Sequence, residues 1–204
     1  MINPIAIAVP FSNMGSRTMT LTLLALLLAA APAPAAETPA ASAPVTLTSI
    51  RAGLAGAWTG KLEYRDYQAD RWFGLPVTVR VEMMGDGVTL IRHADFDDGP
   101  KTGIVTITTA ALFDPGTNRE QSVSFRKGRE AELTTATLRL ARAEAADRWT
   151  IEEMRDGSDD NRPAHIRETT RRDGATLVTV KEVDFLDDTG ETWLVRNRTT
   201  LTRQ

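Results

Sequence analysis

Three charged residues stand where an alternating strand pattern places apolar side chains. Arg92, Glu153 and Glu168 each share a strand face with aliphatic or aromatic neighbours two residues away, because successive side chains of a strand point to opposite faces. An unpaired buried charge is costly, so these groups must pair with each other, with water or with a ligand. Polar anchors in an apolar pocket are typical of a small-molecule site. The pattern therefore predicts a ligand pocket, and the alternatives are an internal salt-bridge network or a location in solvent.

Tyr64 and Asn197 complete the predicted ligand-binding set, because each lies in phase with apolar residues of its own strand. Glu153, Glu168 and Tyr64 are also the candidates for acid/base catalysis, since buried carboxyls acquire raised pKa values suited to proton transfer. The sequence contains no Ser-His-Asp signature, no Gly-x-Ser-x-Gly and no phosphate loop, which are the motifs that mark common enzyme classes. We therefore expect a binding protein rather than an enzyme.

The two histidines are expected to face solvent. His93 and His165 are out of phase with the apolar residues beside them, and the chain has no cysteine. An inward-facing imidazole or thiolate is what a haem or zinc site would need. We therefore predict no cofactor and no metal.

Ten segments from residue 56 onward alternate apolar and polar residues and are rich in β-branched side chains, as half-buried strands are. Asp156-Gly157 and Asp173-Gly174 are strong hairpin signals between such segments. Strands joined in chain order form an up-and-down sheet, and closing it removes the exposed edges. The sequence therefore predicts an all-β fold, an up-and-down antiparallel β-barrel of about ten strands. The predicted strands span residues 56–66, 75–84, 87–96, 103–113, 119–127, 131–141, 147–155, 164–172, 175–185 and 192–203.

The odd-to-even connections of this topology meet at one end of the barrel, the predicted mouth, and most of them are acidic. An acidic rim would hold a divalent cation or attract a cationic ligand, but hairpin turns also prefer Asp, Gly and Asn, and this second interpretation is favoured. Asp156-x-Ser158-x-Asp160 has the oxygen spacing of a calcium loop, yet the missing Glu at position 12 excludes an EF-hand. Trp72 and Phe73 are placed in the first of these loops, covering the upper core. The acidic connections are residues 66–73, 95–100, 156–161 and 184–191, and residues 127–129 are the basic exception.

The N-terminal part of the chain reads as an export signal. A basic residue precedes an apolar run from Leu21 to Ala31 and a small-residue cleavage site, as in secretory signal peptides. We predict a signal peptide over 1–36, with Met14 as an alternative start, a disordered Pro/Ala linker over 37–49 and the barrel over 50–204. The expected product is periplasmic or secreted and has no membrane span in the mature chain. The full chain has a formal net charge of −3 and no basic face, which argues against nucleic-acid binding.

Gly56-Ala57-Trp58 at the start of the first strand resembles the Gly-x-Trp signature of the calycin superfamily, and ten strands resemble its fatty-acid-binding-like and nitrobindin-like barrels more than the eight-stranded lipocalins. The resemblance implies that Trp58 closes the barrel floor and that an arginine of the last strand packs across it. Arg198 and Arg203 are the candidates for that arginine. A nitrobindin-like haem site would lack its axial histidine here.

The function expected from these patterns is a lipocalin-like barrel that binds a small apolar or amphipathic molecule. One alternative is a non-catalytic surface or interaction module whose barrel is filled by its own side chains. The other is a carboxylate-dependent isomerase or cyclase. The three differ in whether the barrel holds a cavity and in whether Glu153 and Glu168 act on a substrate.

Overall fold

The computed structural model describes residues 44–67, 70–187 and 189–204. The predicted signal peptide, residues 1–36, and the predicted linker up to residue 43 lie outside the described residues. The described part contains two short helices and ten strands. In chain order these are α1 (Leu47–Gly53), β1 (Gly56–Asp66), β2 (Arg71–Met83), β3 (Thr89–Asp97), α2 (Gly99–Thr102), β4 (Ile104–Asp114), β5 (Arg119–Arg126), β6 (Glu132–Ala145), β7 (Arg148–Asp159), β8 (Arg162–Asp173), β9 (Thr176–Phe185) and β10 (Leu194–Arg203).

The ten strands form a closed barrel in which each strand pairs antiparallel with its neighbours in the chain. β1 also pairs with β10, with Trp58 opposite Arg203 and Tyr64 opposite Asn197. This last pairing closes the sheet, so β1 and β10 have no free edge. The predicted fold class, an up-and-down antiparallel barrel of ten strands, is confirmed.

The connection between β7 and β8 is a two-residue turn. Asp160 and Asn161 have positive φ angles of 54° and 61°, as the central residues of a type I′ hairpin turn require. The predicted loop over 156–161 is therefore wrong, because both strands run up to this turn. Asp156 lies inside β7, where its Oδ1 is 2.6 Å from Nδ1 of His165 on β8. The three oxygens of the predicted calcium spacing do not share a loop.

The strand β2 begins four residues earlier than predicted, at Arg71. Trp72 lies opposite Arg65 and Phe73 opposite Tyr64, so both aromatic residues belong to the sheet and not to a loop. Side chains opposite one another share a face, which places Trp72 on the outer face and Phe73 on the inner face. Only Phe73 is therefore positioned to cover the barrel interior.

The helix α1 occupies the end of the predicted linker, so the linker prediction is wrong for residues 47–49. Thr46 caps the helix: its side chain accepts from the backbone N–H of Ser49, and the Ser49 side chain accepts from the Thr46 N–H, a capping box that supplies partners for free helix donors. Leu47 and Ile50 are buried against the barrel. Neither helix of the described residues is long and apolar enough to cross a membrane.

The main core lies at the end of the barrel where β1 begins, which we call the floor. Inward-facing side chains of six strands meet there with α1. Aliphatic and aromatic groups removed from water at this end supply the main driving force for closing the barrel. The buried residues of the floor are Ile50, Trp58, Val77, Val79, Val81, Leu90, Ala94, Trp149, Leu177 and Leu201.

A β-bulge in β10 leaves Arg196 without a register partner. Strict alternation predicts Trp193 and Val195 on the inner face, but Leu194 is the residue opposite the buried Val183. An extra residue in one strand shifts the alternation beyond it. The prediction for Val195 is therefore wrong, and Trp193 precedes the strand.

Candidate functional site

The predicted ligand-binding residues of four strands form one row across the sheet. Tyr64 on β1 lies opposite Asn197 on β10, Asn197 opposite Lys181 on β9, Lys181 opposite Glu168 on β8, and Glu168 opposite Glu153 on β7. Each member is in phase with buried apolar residues of its strand, so the row faces the barrel interior. Sequence reasoning selected every member except Lys181.

A single arginine bridges the two carboxylates of this row. Arg155 donates from one nitrogen to Glu153 at 3.0 Å and from the other to Glu168 at 3.0 Å. Burial raises the pKa of Glu153, and the facing charge of Glu168 raises it further, while Arg155 acts in the opposite direction. Two opposed carboxylates, one of them with a raised pKa, are suited to acid/base catalysis. Here, however, both carboxylates already accept hydrogen bonds from Arg155.

A second ion cluster lies nearer the mouth, where the carboxylate of Asp159 holds two cations. Nζ of Lys181 is 2.7 Å from Oδ1, and Nε of Arg196 is 2.6 Å from Oδ2. The β-bulge of β10 brings Arg196 to this position. Attraction to two cations offsets the free-energy cost of removing the Asp159 carboxylate partly from water.

The guanidinium of Arg92 faces the same interior without such a partner. Arg92 alternates with the buried Leu90 and Ala94 on β3, and no direct ion pair or hydrogen bond joins it to another residue of the described ranges. Burial lowers the pKa of Arg92, and the charge of Glu168 partly offsets that effect. We call Arg92 and the residues of the two ion clusters the interior charge cluster: Arg92, Glu153, Arg155, Asp159, Glu168, Lys181 and Arg196.

Two hydroxyl groups continue the row of Arg92 along the neighbouring strands. Thr109 on β4 lies opposite Arg92, and Ser124 on β5 lies opposite Thr109. The two hydroxyl oxygens are 2.9 Å apart. Whichever of them donates to the other, one O–H remains free to donate into the interior.

The mouth of the barrel carries a pair of stacked aromatic rings. Tyr64 and Phe73 face each other across β1 and β2 with ring centroids 5.5 Å apart, and both are exposed. Partial burial of the ring and the charge of Asp98 raise the pKa of Tyr64, whereas Arg126 lowers it. Asp98, which follows β3, and Arg126, the last residue of β5, therefore lie near the same opening.

At the floor, Arg203 lies where the calycin resemblance places the arginine of the last strand. Its guanidinium carbon is 5.3 Å from the ring centroid of Trp58, and the group donates to the carbonyls of Gly53 and Ala55. Arg172 approaches the same ring at 5.6 Å and also donates to Gly53. A guanidinium over an indole is attracted by the ring quadrupole.

Arg198, the other predicted floor residue, lies on the outer face, so that prediction is wrong. It is opposite Glu63, which is out of phase with Trp58, and one residue of phase reverses the face. Its guanidinium donates to Glu63 at 2.8 Å and stacks on Trp72 at 4.9 Å. Hydrogen bonds from Lys61 and Arg198 lower the pKa of Glu63.

Sequence reasoning missed three cations of the interior, Arg155, Lys181 and Arg196. Arg155 follows Glu153 by two residues, so alternation alone could have found it. Lys181 lies on β9, where apolar residues fall on both faces and the pattern gives no phase. Arg196 faces inward only because of the bulge, which no local sequence signal marks.

Both histidines lie on the outer face of the barrel. His93 has Nδ1 3.0 Å from the Thr108 hydroxyl, and His165 pairs with Asp156. No group of three or more histidine or carboxylate side chains in the described residues is arranged to hold a metal ion.

No protein-family model matches the chain, and no curated protein matches it. Among solved structures, the barrel is similar to the crystal structure of Rv2717c from M. tuberculosis, with a TM-score of 0.52 and 16% sequence identity. The match covers 76% of this chain and 97% of that chain. At this identity the likeness shows the barrel fold alone, and membership of the calycin superfamily stays a prediction.

Proposed function

We propose that this chain binds a small amphipathic molecule inside the upper half of its barrel. The observation that carries the proposal is the partial exposure of charged side chains that point inward. The Glu153 and Glu168 side chains are 29% and 30% exposed. Trp149 lies on the same face of β7, four residues before Glu153, and is 1% exposed. Solvent therefore reaches the interior above the floor.

The opposite wall of this space is apolar, which favours an amphipathic ligand over a fully polar one. Leu75, Phe96, Val105 and Ile107 occupy inner-face positions of β2, β3 and β4 and are half-buried. Covering such side chains with an apolar ligand removes further surface from water, at about 25 cal/mol per Å². Pockets of this mixed composition are the usual form of small-molecule sites.

A barrel filled by its own side chains would bury the inner face evenly along each strand. The inner face of β7 does not follow this expectation, because burial is complete at Trp149 and incomplete at Glu153. The contrast supports a binding cavity over the alternative of a filled interaction module. Export to the periplasm or medium is part of the proposal, and the signal-like segment over 1–36 is what supports it.

The first test is native mass spectrometry of the protein purified from its own source. We expect an added mass of one small molecule per chain. A titration with anilinonaphthalene sulfonate, an amphipathic dye, gives the second measurement, and we expect saturable binding at one site. The hydroxyl oxygens of Thr170 and Thr179 are 2.9 Å apart on the inner face, so Thr170→Phe places a ring in the interior. This variant is expected to weaken dye binding about tenfold.

The matched control is Thr169→Phe, which adds the same ring to the outer face of the same strand. Its dye affinity is expected to stay within about twofold of wild type. Circular dichroism establishes that both variants keep the strand content. A bare mass together with no dye binding, or an equal loss in both variants, would contradict the proposed function.

A further inference from the structure

A cavity of about 490 Å³ lies on the outer side of the barrel wall, near the mouth ends of β8 and β9. His165 on β8 and Asp184 on β9 lie opposite each other and so share the outer face. Glu191 and Trp193, from the connection between β9 and β10, also line this cavity. Its volume is in the usual range of small-molecule pockets, and the strands separate it from the interior site proposed above.

The last residues of the connection between β9 and β10 fold back over this outer face. The backbone N–H of Thr192 donates to Oδ1 of Asp184 at 2.6 Å. The guanidinium carbon of Arg167, on the outer face of β8, is 4.1 Å from the ring centroid of Trp193. Nε1 of Trp193 donates to Glu191 at 3.1 Å. These contacts hold Glu191 and Trp193 beside the outer face of β8 and β9.

Asp184 is a buried carboxylate without a cation. It is 6% exposed, although it lies on the outer face, and it lines the cavity. Oδ1 accepts from Thr192, whereas Oδ2 has no hydrogen-bond or ion-pair partner in the described part of the chain. An ionised carboxylate removed from water is costly unless it is paired. Asp184 would therefore be stabilised by a cation in the cavity.

The imidazole of His165 supplies a second hydrogen-bond acceptor. Its Nδ1 lies 2.6 Å from Oδ1 of Asp156. Because an ionised carboxylate can only accept a hydrogen bond, the proton of this contact is assigned to Nδ1. In the neutral imidazole the other nitrogen, Nε2, is then an acceptor, and it has no partner among the described residues.

The charged groups that line the cavity are negative. Asp184 and Glu191 line it, and no lysine or arginine of the described residues does. The arginines of the surrounding strands already have carboxylate partners, namely Arg167 with Glu182 at 2.9 Å and Arg162 with Asp187 at 2.8 Å. Charge complementarity therefore favours a cationic ligand over a neutral or anionic one.

The acceptors of the cavity suit an ammonium group better than a metal ion. Metal ions are bound at about 2.0–2.6 Å, and no group of three or more histidine or carboxylate side chains in the described residues is arranged for that. Hydrogen bonds from N–H to oxygen span about 2.7–3.2 Å, so acceptors that lie farther apart can still bind one nitrogen. A primary ammonium has three N–H donors, which matches three acceptors.

We propose that this outer cavity binds a small primary amine in its protonated form. Asp184, Glu191 and Nε2 of His165 accept its three hydrogen bonds. Its apolar part lies against Met154 and Trp193, which also line the cavity. A thioether and an indole are both favourable neighbours of an aromatic ring, so 2-phenylethylamine is a suitable ligand.

The test is an NMR titration of the protein, expressed from its full-length sequence, with three probes. These are 2-phenylethylamine, which is protonated at neutral pH as a lysine side chain is, its N,N,N-trimethyl derivative, which keeps the charge without an N–H donor, and the uncharged 2-phenylethanol. We expect saturable shifts of the Trp193 indole N–H and the His165 ring signals with 2-phenylethylamine. The other two probes should bind about tenfold or more weakly.

The variant Asp184→Asn separates the charge from the fold of the connection. The asparagine side chain still offers an acceptor to the Thr192 N–H, while the negative charge is removed. Binding of 2-phenylethylamine should weaken about 10- to 100-fold, and binding of 2-phenylethanol should change by less than about twofold. Asp173→Asn, an exposed carboxylate at the floor end of β8, is the matched control and should change neither.

Two further variants examine the remaining acceptors. His165→Phe keeps a ring but removes Nε2, so the preference for the primary amine over its trimethyl derivative should fall about three- to tenfold. An unchanged preference would contradict the three-acceptor site. Glu191→Gln should weaken 2-phenylethylamine binding about three- to tenfold, and it keeps the test open if Asp184→Asn does not fold.

Several outcomes would overturn the amine site. One is no loss of 2-phenylethylamine binding in Asp184→Asn, or a loss that Asp173→Asn shares equally. Another is a set of shifts confined to residues of the barrel interior, which would assign the amine to the interior cavity. Absence of any shift at millimolar amine would also overturn it, and would leave the proposed function standing, since that function depends on the interior alone.

Discussion

The floor and the mouth of the barrel are built from the same ten strands but bury their inward-facing side chains very differently. Trp58 near the start of β1 is 2% exposed, and Phe73, which lies opposite Tyr64 at the other end of that strand, is 52% exposed. Both are aromatic residues of the inner face. Inward orientation alone therefore does not determine how far a side chain is buried. Burial also depends on whether another element covers that end of the barrel.

At the floor, that covering element is α1. Its last turn supplies carbonyls to three side chains of the barrel: Nε1 of Trp58 donates to Leu54 at 2.9 Å, and Arg172 and Arg203 both donate to Gly53. These bonds satisfy helix carbonyls that have no partner within a helix. The floor therefore combines apolar burial with hydrogen bonds that hold the helix in place, and we expect it to carry most of the stability of the fold.

The largest expected effect comes from truncating the floor aromatic. Trp58→Ala should lower the free energy of unfolding by about 3–5 kcal/mol, because it removes a large buried side chain and leaves a cavity. Urea unfolding followed by circular dichroism is the appropriate measurement, since the substitution removes one of only four tryptophans. Phe73→Ala at the mouth is the matched control and should change stability by less than about 0.5 kcal/mol. Similar losses in the two variants would show that the comparison between floor and mouth is wrong.

A smaller effect is expected from the ion pair that joins α1 to the barrel. Arg51 pairs with Glu120 on β5, and its guanidinium lies 5.1 Å from the ring centroid of Phe113. Burial lowers the pKa of Arg51 to about 10, and the charge of Glu153 partly opposes that shift. Arg51→Met should cost about 2–3 kcal/mol, because it leaves the Glu120 carboxylate without its cation in a partly buried place.

The double variant with Glu120→Gln distinguishes the ion pair from simple packing. If the pair is what matters, the second substitution should recover about 1–2 kcal/mol of the loss, since the unpaired carboxylate is gone. Additive losses, measured in the same urea experiment, would assign the effect of Arg51 to its packing on Phe113 instead.

The sequence was sufficient to predict the features that follow from local pattern. Alternation and turn residues predict ten strands in an up-and-down barrel, and the same alternation places Arg92, Glu153 and Glu168 on the inner face. These predictions succeed because the two-residue period of a strand is a property of each segment alone. Asp160 and Asn161 are also turn-forming residue types, but Asp156-Gly157 is the stronger hairpin signal. The turn is therefore predicted too early in the chain.

The features that depend on contacts between distant segments could not be predicted in the same way. The helix α1 is short, and short helices are only marginally stable without tertiary packing. Its formation therefore depends on the contacts that Ile50 and Arg51 make with the barrel. The bulge at Arg196 reverses the face of Val195 without a local signal. Arg198 was assigned to the floor although it is one residue out of phase with Arg203, an error that the register with β1 corrects.

The smallest effect that still separates the two ends is the pH dependence contributed by Glu153. Burial and Glu168 raise its pKa in the folded protein above the ordinary value of 4.5. Between the ordinary pKa and the raised one, the folded state binds more protons than the unfolded state, so the contribution of this group to stability falls as pH rises. Glu153→Gln removes that contribution. The stability of the variant relative to wild type should therefore increase from pH 4.5 toward pH 7, by no more than about 1 kcal/mol.

Urea unfolding at four pH values between 4.5 and 7 measures this difference, and Glu152→Gln, the adjacent outward-facing carboxylate paired with Arg139, controls for the loss of a carboxylate from the same strand. A difference that stays constant with pH, or that decreases toward pH 7, would mean that Glu153 is as well solvated in the folded barrel as in the unfolded chain, and the interior above the floor would then be an extension of the solvent at the mouth.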